Sequence, residues 1–277
     1  MRDDVPSAAE SEPADCELIE HLPFDTEAVI GARAKIGLVV LASDYTMEHE
    51  FRRVFATPGL AEGIDYYEAR IRNSPKITPE SLAAMGPLIT DTVDLILPGA
   101  DLDVVAFGCT SASMVLGEEA VAQAIAKARP GTKPTNPISA AFAAFDVLDA
   151  RRIAVLTPYR RDVNEIVRGY ITGKGYQVPV FGSFNEQDDA VVAGIDGASL
   201  KAAVRRITAD HKVDAVFVSC TSVHLLDAVA EIEAECGLPV TSSNHALAWH
   251  CLRLAGVTGS RPELGRLFEF NPAHAWF

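Results

Sequence analysis

Two stretches of the sequence share one pattern: DVVAFGCTSASMVL at residues 103–116 and DAVFVSCTSVHLLD at residues 214–227. In each stretch a short apolar run leads directly into Cys-Thr-Ser. Two further pairs of similar segments occur in the same order, namely KIGLVVLASDY (35–45) with RIAVLTPYRRD (152–162), and PTNPISAAFA (134–143) with VTSSNHALAW (240–249). Matches that keep their order indicate a duplicated unit with insertions and deletions. We therefore expect two similar lobes that face each other across a cleft.

Short apolar runs alternate with helical stretches along the whole of this region. A continuous apolar run is typical of a parallel strand that is buried on both faces. The segments predicted as strands are Ile36–Leu41, Asp65–Ile71, Val104–Gly108, Ile153–Thr157, Val178–Phe181 and Ala215–Ser219. Thr78 and Pro79 suit the cap and the first position of a helix. The apolar face of that helix is expected to hold Leu82, Met85, Ile89 and Val93. This alternation predicts an α/β fold with parallel sheets.

The composition excludes several classes of protein. The 277 residues are 48% hydrophobic and carry a net charge of −14, so a basic surface for nucleic acid is not expected. No apolar window is long enough to cross a membrane, and the acidic beginning of the chain does not resemble a signal peptide. The five cysteines form no CxxC pair, which disfavours a disulfide framework and a structural zinc site. We expect free thiols in a reducing cytoplasm.

The chain divides into three parts by composition and repeat. Residues 1–34 hold nine acidic residues and two basic ones, and we expect this extension to be disordered. Residues 35–135 together with 245–277 are predicted to form the first lobe, and residues 136–244 the second. The end of the chain is unusually apolar, so it is expected to cover either the core or a neighbouring subunit of a homo-oligomer.

The two Cys-Thr-Ser motifs are the candidate active site. In open parallel sheets, ligands bind beyond the carboxyl ends of the strands, where Cys109 and Cys220 fall. A thiol at a helix N-terminus is stabilised as a thiolate, so these two should alkylate faster than the other cysteines. The hydroxyl residues beside them are candidates for holding a substrate carboxylate; they are Thr110, Ser111, Thr221 and Ser222. A single such cysteine is more often a buried structural residue, but its repetition at equivalent strand ends favours a function.

Paired thiols suit a reaction that needs one acid–base group on each face of a carbon. One thiolate removes a proton next to a carboxylate while the opposed thiol supplies one to the other face. Alternatively, a thiolate adds to a conjugated double bond. Neither scheme needs a metal or an organic cofactor, and no dinucleotide or phosphate-binding glycine motif occurs in the sequence.

The chain resembles the Asp/Glu racemase superfamily, and within it the branch of maleate isomerases and arylmalonate decarboxylases. It is most similar to the racemase-like proteins of bacterial ectoine-utilisation operons. The resemblance covers about residues 35–257 and is carried by IGLVVLASDYTMEHEF (36–51), TPESLAAMGPLIT (78–90), LILPGADLD (95–103), AFGCTSAS (106–113), ARRIAVLTPY (150–159), VFVSCTS (216–222) and PVTSSNHALAWHCLRLAG (239–256).

The resemblance implies an active site between two flavodoxin-like lobes. Cys109 and Cys220 match the two catalytic cysteines of the isomerases and racemases. The decarboxylases keep only the second of these cysteines and have glycine at the first position. The presence of both cysteines in this chain therefore disfavours decarboxylation. Tyr159 matches a tyrosine that contacts the substrate carboxylate in maleate isomerases. Asp44 lies where those enzymes have a substrate-binding asparagine, and Asp189 aligns loosely with a second one.

These observations predict a cofactor-independent racemase or isomerase of a small amino-acid-like carboxylate. The resemblance suggests 2,4-diaminobutyrate or its N-acetyl derivative as substrate. Two alternatives stay open at this point: cis–trans isomerisation of maleate, and a carboxylate-binding protein without turnover.

The histidines near the motifs form a weaker set of candidates. His224 follows Cys220 by four residues and is predicted to lie one helical turn below the thiol, where the histidine would adjust the reactivity of the thiol. His245 and His250 are five residues apart, a spacing that points two helical side chains in different directions.

Overall fold

The computed structural model describes residues 18–74 and 76–271 of the chain. Within them lie two four-stranded parallel sheets. The first has the order β2-β1-β3-β4, with β1 at Ala34–Leu41, β2 at Ile64–Ile71, β3 at Val104–Gly108 and β4 at Lys133–Thr135. The second has the order β6-β5-β7-β8, with β5 at Arg152–Thr157, β6 at Gln177–Ser183, β7 at Ala215–Val218 and β8 at Val240–Ser242. The identical orders confirm the predicted duplication and the α/β fold class.

Helices connect the strands throughout both sheets. Their bounds are α1 Met47–Phe55, α2 Pro79–Ala83, α3 Ile89–Asp94, α4 Thr110–Leu116, α5 Glu118–Ala128, α6 Pro137–Val147, α7 Arg161–Gly173, α8 Asp189–Ala193, α9 Gly197–Thr208, α10 Val229–Cys236 and α11 Ser243–Leu254. Short 3₁₀ turns lie at Gly86–Leu88, Pro262–Leu264 and Arg266–Glu269. Within the described ranges, no helix is both long enough and apolar enough to cross a membrane.

The six predicted strands are present, but β4 and β8 were not predicted. Each of these two has only three residues, which is too short to stand out as an apolar run. Thr78 caps α2 as predicted, with a reciprocal pair of hydrogen bonds between its side chain and backbone and those of Ser81. The predicted helix is interrupted by a 3₁₀ turn before α3. Its apolar face is nevertheless buried as expected.

Helices α6 and α11 lie at equivalent places, after β4 and β8, and hold the two sheets together. Side-chain oxygens of Asn136 and Ser242 cap their N-termini by accepting backbone N–H bonds. One side of α6 contributes Ala140 and Ala144 to the apolar cluster that contains α11 and β1. The other contributes Phe145 to the cluster beneath the second sheet. Because α6 is shared between the clusters, the division of lobes at residue 136 stays a prediction.

The two ends of the described chain differ in their burial. Residues 18–30 are exposed and residues 18–33 hold no helix or strand. Residues 1–17, on which most of the predicted disorder falls, lie outside the described part. Near the other end, Leu267 and Phe268 are fully buried against α11, so this part of the apolar tail covers the core. The predicted homo-oligomer stays a prediction.

Gly108, the last residue of β3, has no room for a side chain. A Cβ atom there would lie 2.6 Å from the carbonyl oxygen of Val39 and 2.5 Å from the sulfur of Met47. The carbonyl belongs to the neighbouring strand β1 and cannot move without distorting the sheet. This crowding fixes the end of β3 immediately before Cys109.

We expect Gly108→Ala to lower the free energy of unfolding by about 1–3 kcal/mol, because overpacking at this strand end forces the backbone to shift. Urea denaturation of the purified variant measures this change. Gly169→Ala is the matched control, because Gly169 lies on the exposed face of α7 with nothing within 4 Å of its added Cβ. The free energy of unfolding of this control should rise by about 0.5–1 kcal/mol. Equal effects of the two substitutions would contradict the packing argument.

Candidate active site

Both cysteines lie where the topology of a parallel sheet opens a crevice. In the first sheet the connections from β1 and β3 lead to opposite sides, to β2 and β4, and the second sheet repeats this arrangement. Such a reversal leaves a crevice at the carboxyl ends of the two central strands. Cys109 directly follows β3, and Cys220 follows β7 after one intervening residue. The predicted position of the two thiols beyond the strand ends is confirmed.

The two thiols line one small cavity. Its volume is about 20 Å³, which is room for a single water molecule. Most of the predicted site residues line it as well; they are Ser111, Tyr159, Asp189, Thr221 and Ser222. A carboxylate of four carbons does not fit this volume, so the walls must separate to admit one. A groove of about 830 Å³ along β2 is far larger, but it contains none of these residues.

The remaining wall of the cavity comes from residues that sequence reasoning did not select. They are Leu41, Asn73, Ser74, Lys76, Ile77, Ser81, Leu82 and Met85. Most follow β2, in a stretch with no repeated motif to draw attention to it. Lys76 is the single basic residue of the described lining, and its side chain is exposed. It brings a positive charge to this lining.

Burial, rather than helix geometry, determines the ionisation of the thiols. It raises the pKa of Cys109 to about 11 and that of Cys220 to about 12. Cys109 caps α4, and the Ser111 hydroxyl and a backbone N–H favour its thiolate, but desolvation outweighs both. The prediction of a thiolate stabilised in the resting protein is therefore wrong for this closed form. Both groups are thiols at neutral pH.

Cys220 does not lie at a helix N-terminus, contrary to the sequence prediction. Residues 221–228, which we call the 221–228 loop, form no helix, and α10 begins only at Val229. Side chains from distant parts of the chain bind the loop backbone in place of helical partners. Asn244 Nδ2 donates to the Thr221 carbonyl at 2.7 Å, and Thr46 Oγ1 donates to the Ser222 carbonyl at 2.9 Å.

Glu50 supplies the remaining partner of this loop. Its Oε1 accepts hydrogen bonds from the backbone N–H groups of Leu225 and Leu226, at 2.8 and 2.6 Å. The carboxyl group is buried, and burial raises its pKa to about 7. Because the loop is not helical, His224 does not lie below the thiol. Its ring instead packs edge-on against His49, at 5.2 Å between ring centroids, so the predicted tuning role is not supported by its position.

Tyr159 and Cys220 form the second half of the site. The Tyr159 hydroxyl lies beside the Cys220 sulfur, where it lowers the pKa of the thiol, although burial has the larger, opposite effect. The same burial raises the pKa of Tyr159 well above its usual value. Hydrogen bonds from Asn164 Nδ2 (2.8 Å) and Ser183 Oγ (2.5 Å) to its carbonyl fix the backbone of this residue. The tyrosine is thus positioned to donate a hydrogen bond into the cavity.

Asp189 joins the two sides of the cavity. Its Oδ2 accepts from Ser43 Oγ at 2.7 Å, and its Oδ1 accepts from Ser222 Oγ at 3.1 Å. Asn73 Nδ2 donates to Ser43 Oγ at 2.8 Å and extends this chain of hydrogen bonds. Ser43 follows β1 and Ser222 follows Cys220, so the carboxylate of Asp189 connects loops from both sheets. Asp189, which the resemblance suggested only through a loose alignment, therefore lies at the cavity.

Asp44 and Thr110 lie behind the cavity wall rather than on it. Asp44 is buried, and its Oδ1 accepts from the backbone N–H groups of Thr46 and Met47, each at 2.7 Å. Its Oδ2 has no hydrogen-bond partner in the described part of the chain, and burial raises its pKa. The Thr110 hydroxyl donates to Ser243 Oγ at 2.7 Å, so it is turned towards α11.

The other two histidines serve the core. His245 Nε2 lies 2.6 Å from the Leu264 carbonyl oxygen, and His250 Nδ1 lies 2.8 Å from Thr135 Oγ1. Burial lowers the pKa of both to about 4, so both are neutral. They do not contact each other, as their spacing predicted.

Comparison with known proteins agrees with this fold. The family model described as arylmalonate decarboxylase matches residues 76–268. The chain is 31% identical over 247 residues to the maleate isomerase of Nocardia farcinica (strain IFM 10152), covering 86% of this chain and 97% of that protein. It is 33% identical over 141 residues to the arylmalonate decarboxylase of Bordetella bronchiseptica, covering 50% of this chain and 59% of that protein.

A solved structure of the same class superposes over most of the chain. It is a Nocardia farcinica maleate cis-trans isomerase, a cysteine-to-serine mutant with a covalently bound succinylcysteine intermediate. The TM-score is 0.77 at 30% identity, and the match covers 85% of this chain and 98% of that one. The protein belongs to the arylmalonate decarboxylase family, which includes the maleate isomerases. The prediction of an enzyme of this group with two flavodoxin-like lobes is confirmed.

The burial of the two thiols reverses the labelling order expected from sequence. At pH 7 and without ligand, we expect iodoacetamide to label Cys236 before Cys109 and Cys220, because Cys236 is only half-buried. Peptide mapping after brief treatment of a Cys16→Ser background measures the order among the described cysteines, and Cys236→Ser should remove their fast phase. Labelling of Cys109 and Cys220 should accelerate by about tenfold per pH unit as their thiolates form. Rapid labelling of either one at pH 7 would contradict the closed form.

Proposed function

We propose that this enzyme is a cofactor-independent isomerase of a small carboxylate, with Cys109 and Cys220 as its two catalytic residues. One observation supports the proposal above all others: thiols at equivalent strand ends of two duplicated sheets line one cavity. A carbon held between them presents one face to each sulfur. The reaction needs free thiols, which agrees with the expected reducing cytoplasm.

Racemisation is the first candidate reaction. One cysteine first loses its own proton to solvent and forms the minor thiolate. This thiolate removes the proton from the carbon next to the carboxylate, and the electron pair left on that carbon is delocalised into the carboxylate. The thiol of the other cysteine then gives its proton to the opposite face. Each turnover leaves the first cysteine protonated and the second ionised, which is the state that serves the other enantiomer. Hydrogen-bond donors at Tyr159 and Ser111 would hold the carboxylate during this transfer.

Cis–trans isomerisation of maleate is the second candidate, and the relatives favour it. A thiolate adds to one carbon of the double bond, forming a C–S bond and moving the electron pair to the neighbouring carbon. Rotation about the carbon–carbon bond, which the addition has made single, is followed by return of the electron pair to re-form the double bond and expel the thiolate, which gives the trans product. The covalent succinylcysteine described for the Nocardia farcinica enzyme is the kind of species that such an addition forms.

Charges around the cavity support an aminated substrate over maleate. Lys76 in the lining can attract a carboxylate. Burial is the main cause of the raised pKa of both thiols, and the negative charges of Asp189 and Asp44 add to it, so Asp44, behind the buried wall of the cavity, lies close to the reaction centre. A second carboxylate near that buried wall is unfavourable unless the substrate brings a cation between the two. An amino-acid-like carboxylate, such as 2,4-diaminobutyrate or its N-acetyl derivative, fits this arrangement, in line with the resemblance to ectoine-utilisation proteins.

The first test separates the two reactions by isotope exchange. Each amino-acid enantiomer, and maleate, is incubated with the enzyme in deuterated water and followed by NMR and chiral chromatography. Racemisation should place deuterium at the α-carbon of the product. Cys109→Ser and Cys220→Ser should each abolish net racemisation, because serine is too weak an acid and base at neutral pH.

The single mutants also distinguish a relay from a structural role. Each single mutant should still exchange the α-hydrogen of the enantiomer that faces its remaining thiol. The losses of racemase activity from the two substitutions should not add up in the double mutant. Conversion of maleate without such exchange would support the second candidate. A double mutant that still racemises would exclude the thiols as proton carriers, and ligand binding without turnover would indicate a binding protein.

The second test concerns the charge of Asp44. We expect Asp44→Asn to shift the preference, as a ratio of kcat/KM values, by about tenfold or more from the aminated carboxylate towards maleate. The substitution keeps the oxygen that accepts from Thr46 and Met47, so α1 should form normally. Thermal unfolding of the variant checks the fold. The charge argument fails if the wild-type enzyme already prefers maleate to every amino acid tested.

A further inference from the structure

Two histidines and an aspartate meet on the surface where α1 packs on the 221–228 loop. His49 comes from α1, and His224 and Asp227 come from the loop. One nitrogen or oxygen atom of each lies within 4.8 Å of those of the other two. His224 Nε2 is 3.2 Å from Asp227 Oδ2. None of these three residues lines the cavity that holds the thiols.

The Nε2 atom of His224 makes no hydrogen bond within the described ranges. Its approach to Asp227 does not have the geometry of a hydrogen bond, and the atom is shielded from solvent. No other group in the described ranges bonds to it. Buried polar atoms are seldom left in this state, and a bound ion is one of the groups that can satisfy them.

We propose that His49, His224 and Asp227 bind a divalent metal ion of the zinc class. Imidazole nitrogen and carboxylate oxygen are the ligands that Zn²⁺ and Co²⁺ accept, at about 2.0–2.2 Å, which places neighbouring ligand atoms about 3.5 Å apart. The exposed His49 side chain can rotate to close the difference. Because His49 and Asp227 are exposed, water can fill the fourth position.

Arg53 is the charged neighbour that opposes the metal. Its Nη2 lies 2.8 Å from Asp227 Oδ1, and both side chains are about half exposed. An ion pair of this kind is weak, and it leaves Oδ2, the oxygen that faces His224, free for the metal. The bound ion would tie α1 to the loop that follows Cys220, so it would hold together two segments far apart in sequence.

Metal titration of a tag-free protein with Cys109→Ser and Cys220→Ser tests the proposal, since these substitutions keep the metal off the active-site thiols. We expect one equivalent of Co²⁺ to bind with a tetrahedral spectrum and no thiolate-to-cobalt band. His49→Gln should weaken binding of Co²⁺ and Zn²⁺ by at least about tenfold. His211→Gln, at an exposed histidine of another surface, is the matched control and should change nothing.

Arg53→Gln should change the metal affinity in the opposite direction to His49→Gln. A misfolded variant cannot produce this gain in affinity. Removing the competing guanidinium should strengthen metal binding by about two- to fivefold. Zn²⁺ should also raise the unfolding temperature of the parent protein but not of His49→Gln. The proposal is overturned if His49→Gln and His211→Gln bind alike, if Arg53→Gln weakens binding, or if the spectrum shows thiolate ligands.

Discussion

The backbone of the 221–228 loop depends on hydrogen bonds from side chains that are far away in the sequence. Thr46 and Glu50 reach it from the start of α1, the helix that follows β1, and Asn244 from α11. A buried segment without helix or strand must find partners for its N–H and C=O groups elsewhere. Cys220 precedes this loop, so its position is set only when the two sheets are assembled. The site is therefore a product of the contact between the sheets.

Duplication of the unit has not produced two equivalent thiols. Cys109 is followed by a helix and preceded by Gly108, which is closely packed against β1. Cys220 is followed by the irregular loop and lies beside Tyr159, which has no counterpart next to Cys109 in the repeat. Burial is the dominant influence on both and raises the pKa of each thiol. The two faces of a bound carbon would thus meet thiols with different neighbours.

Local sequence patterns predicted six of the eight described strands, their parallel arrangement and the meeting of the two cysteines, because apolar periodicity and strand-end position are local properties. They failed after Cys220, where the partners of Leu225 and Leu226 lie at Glu50, about 175 residues away. They also failed for thiol ionisation, because desolvation depends on the complete fold and overrides the favourable helix terminus at Cys109. Asn73 and Lys76 were missed because nothing in their own segment marks them as polar groups at a cavity.

The small size of the cavity has a consequence for affinity. Because a space of about 20 Å³ must widen before it admits a four-carbon carboxylate, the free energy of that widening weakens the measured affinity. The measured dissociation constant is then the intrinsic one divided by the fraction of molecules that are open. Hydrogen bonds that span the two sides, such as those of Asp189 and Glu50, lower that fraction. Sequence changes distant from the thiols can therefore change the substrate affinity of this enzyme by altering the open population alone.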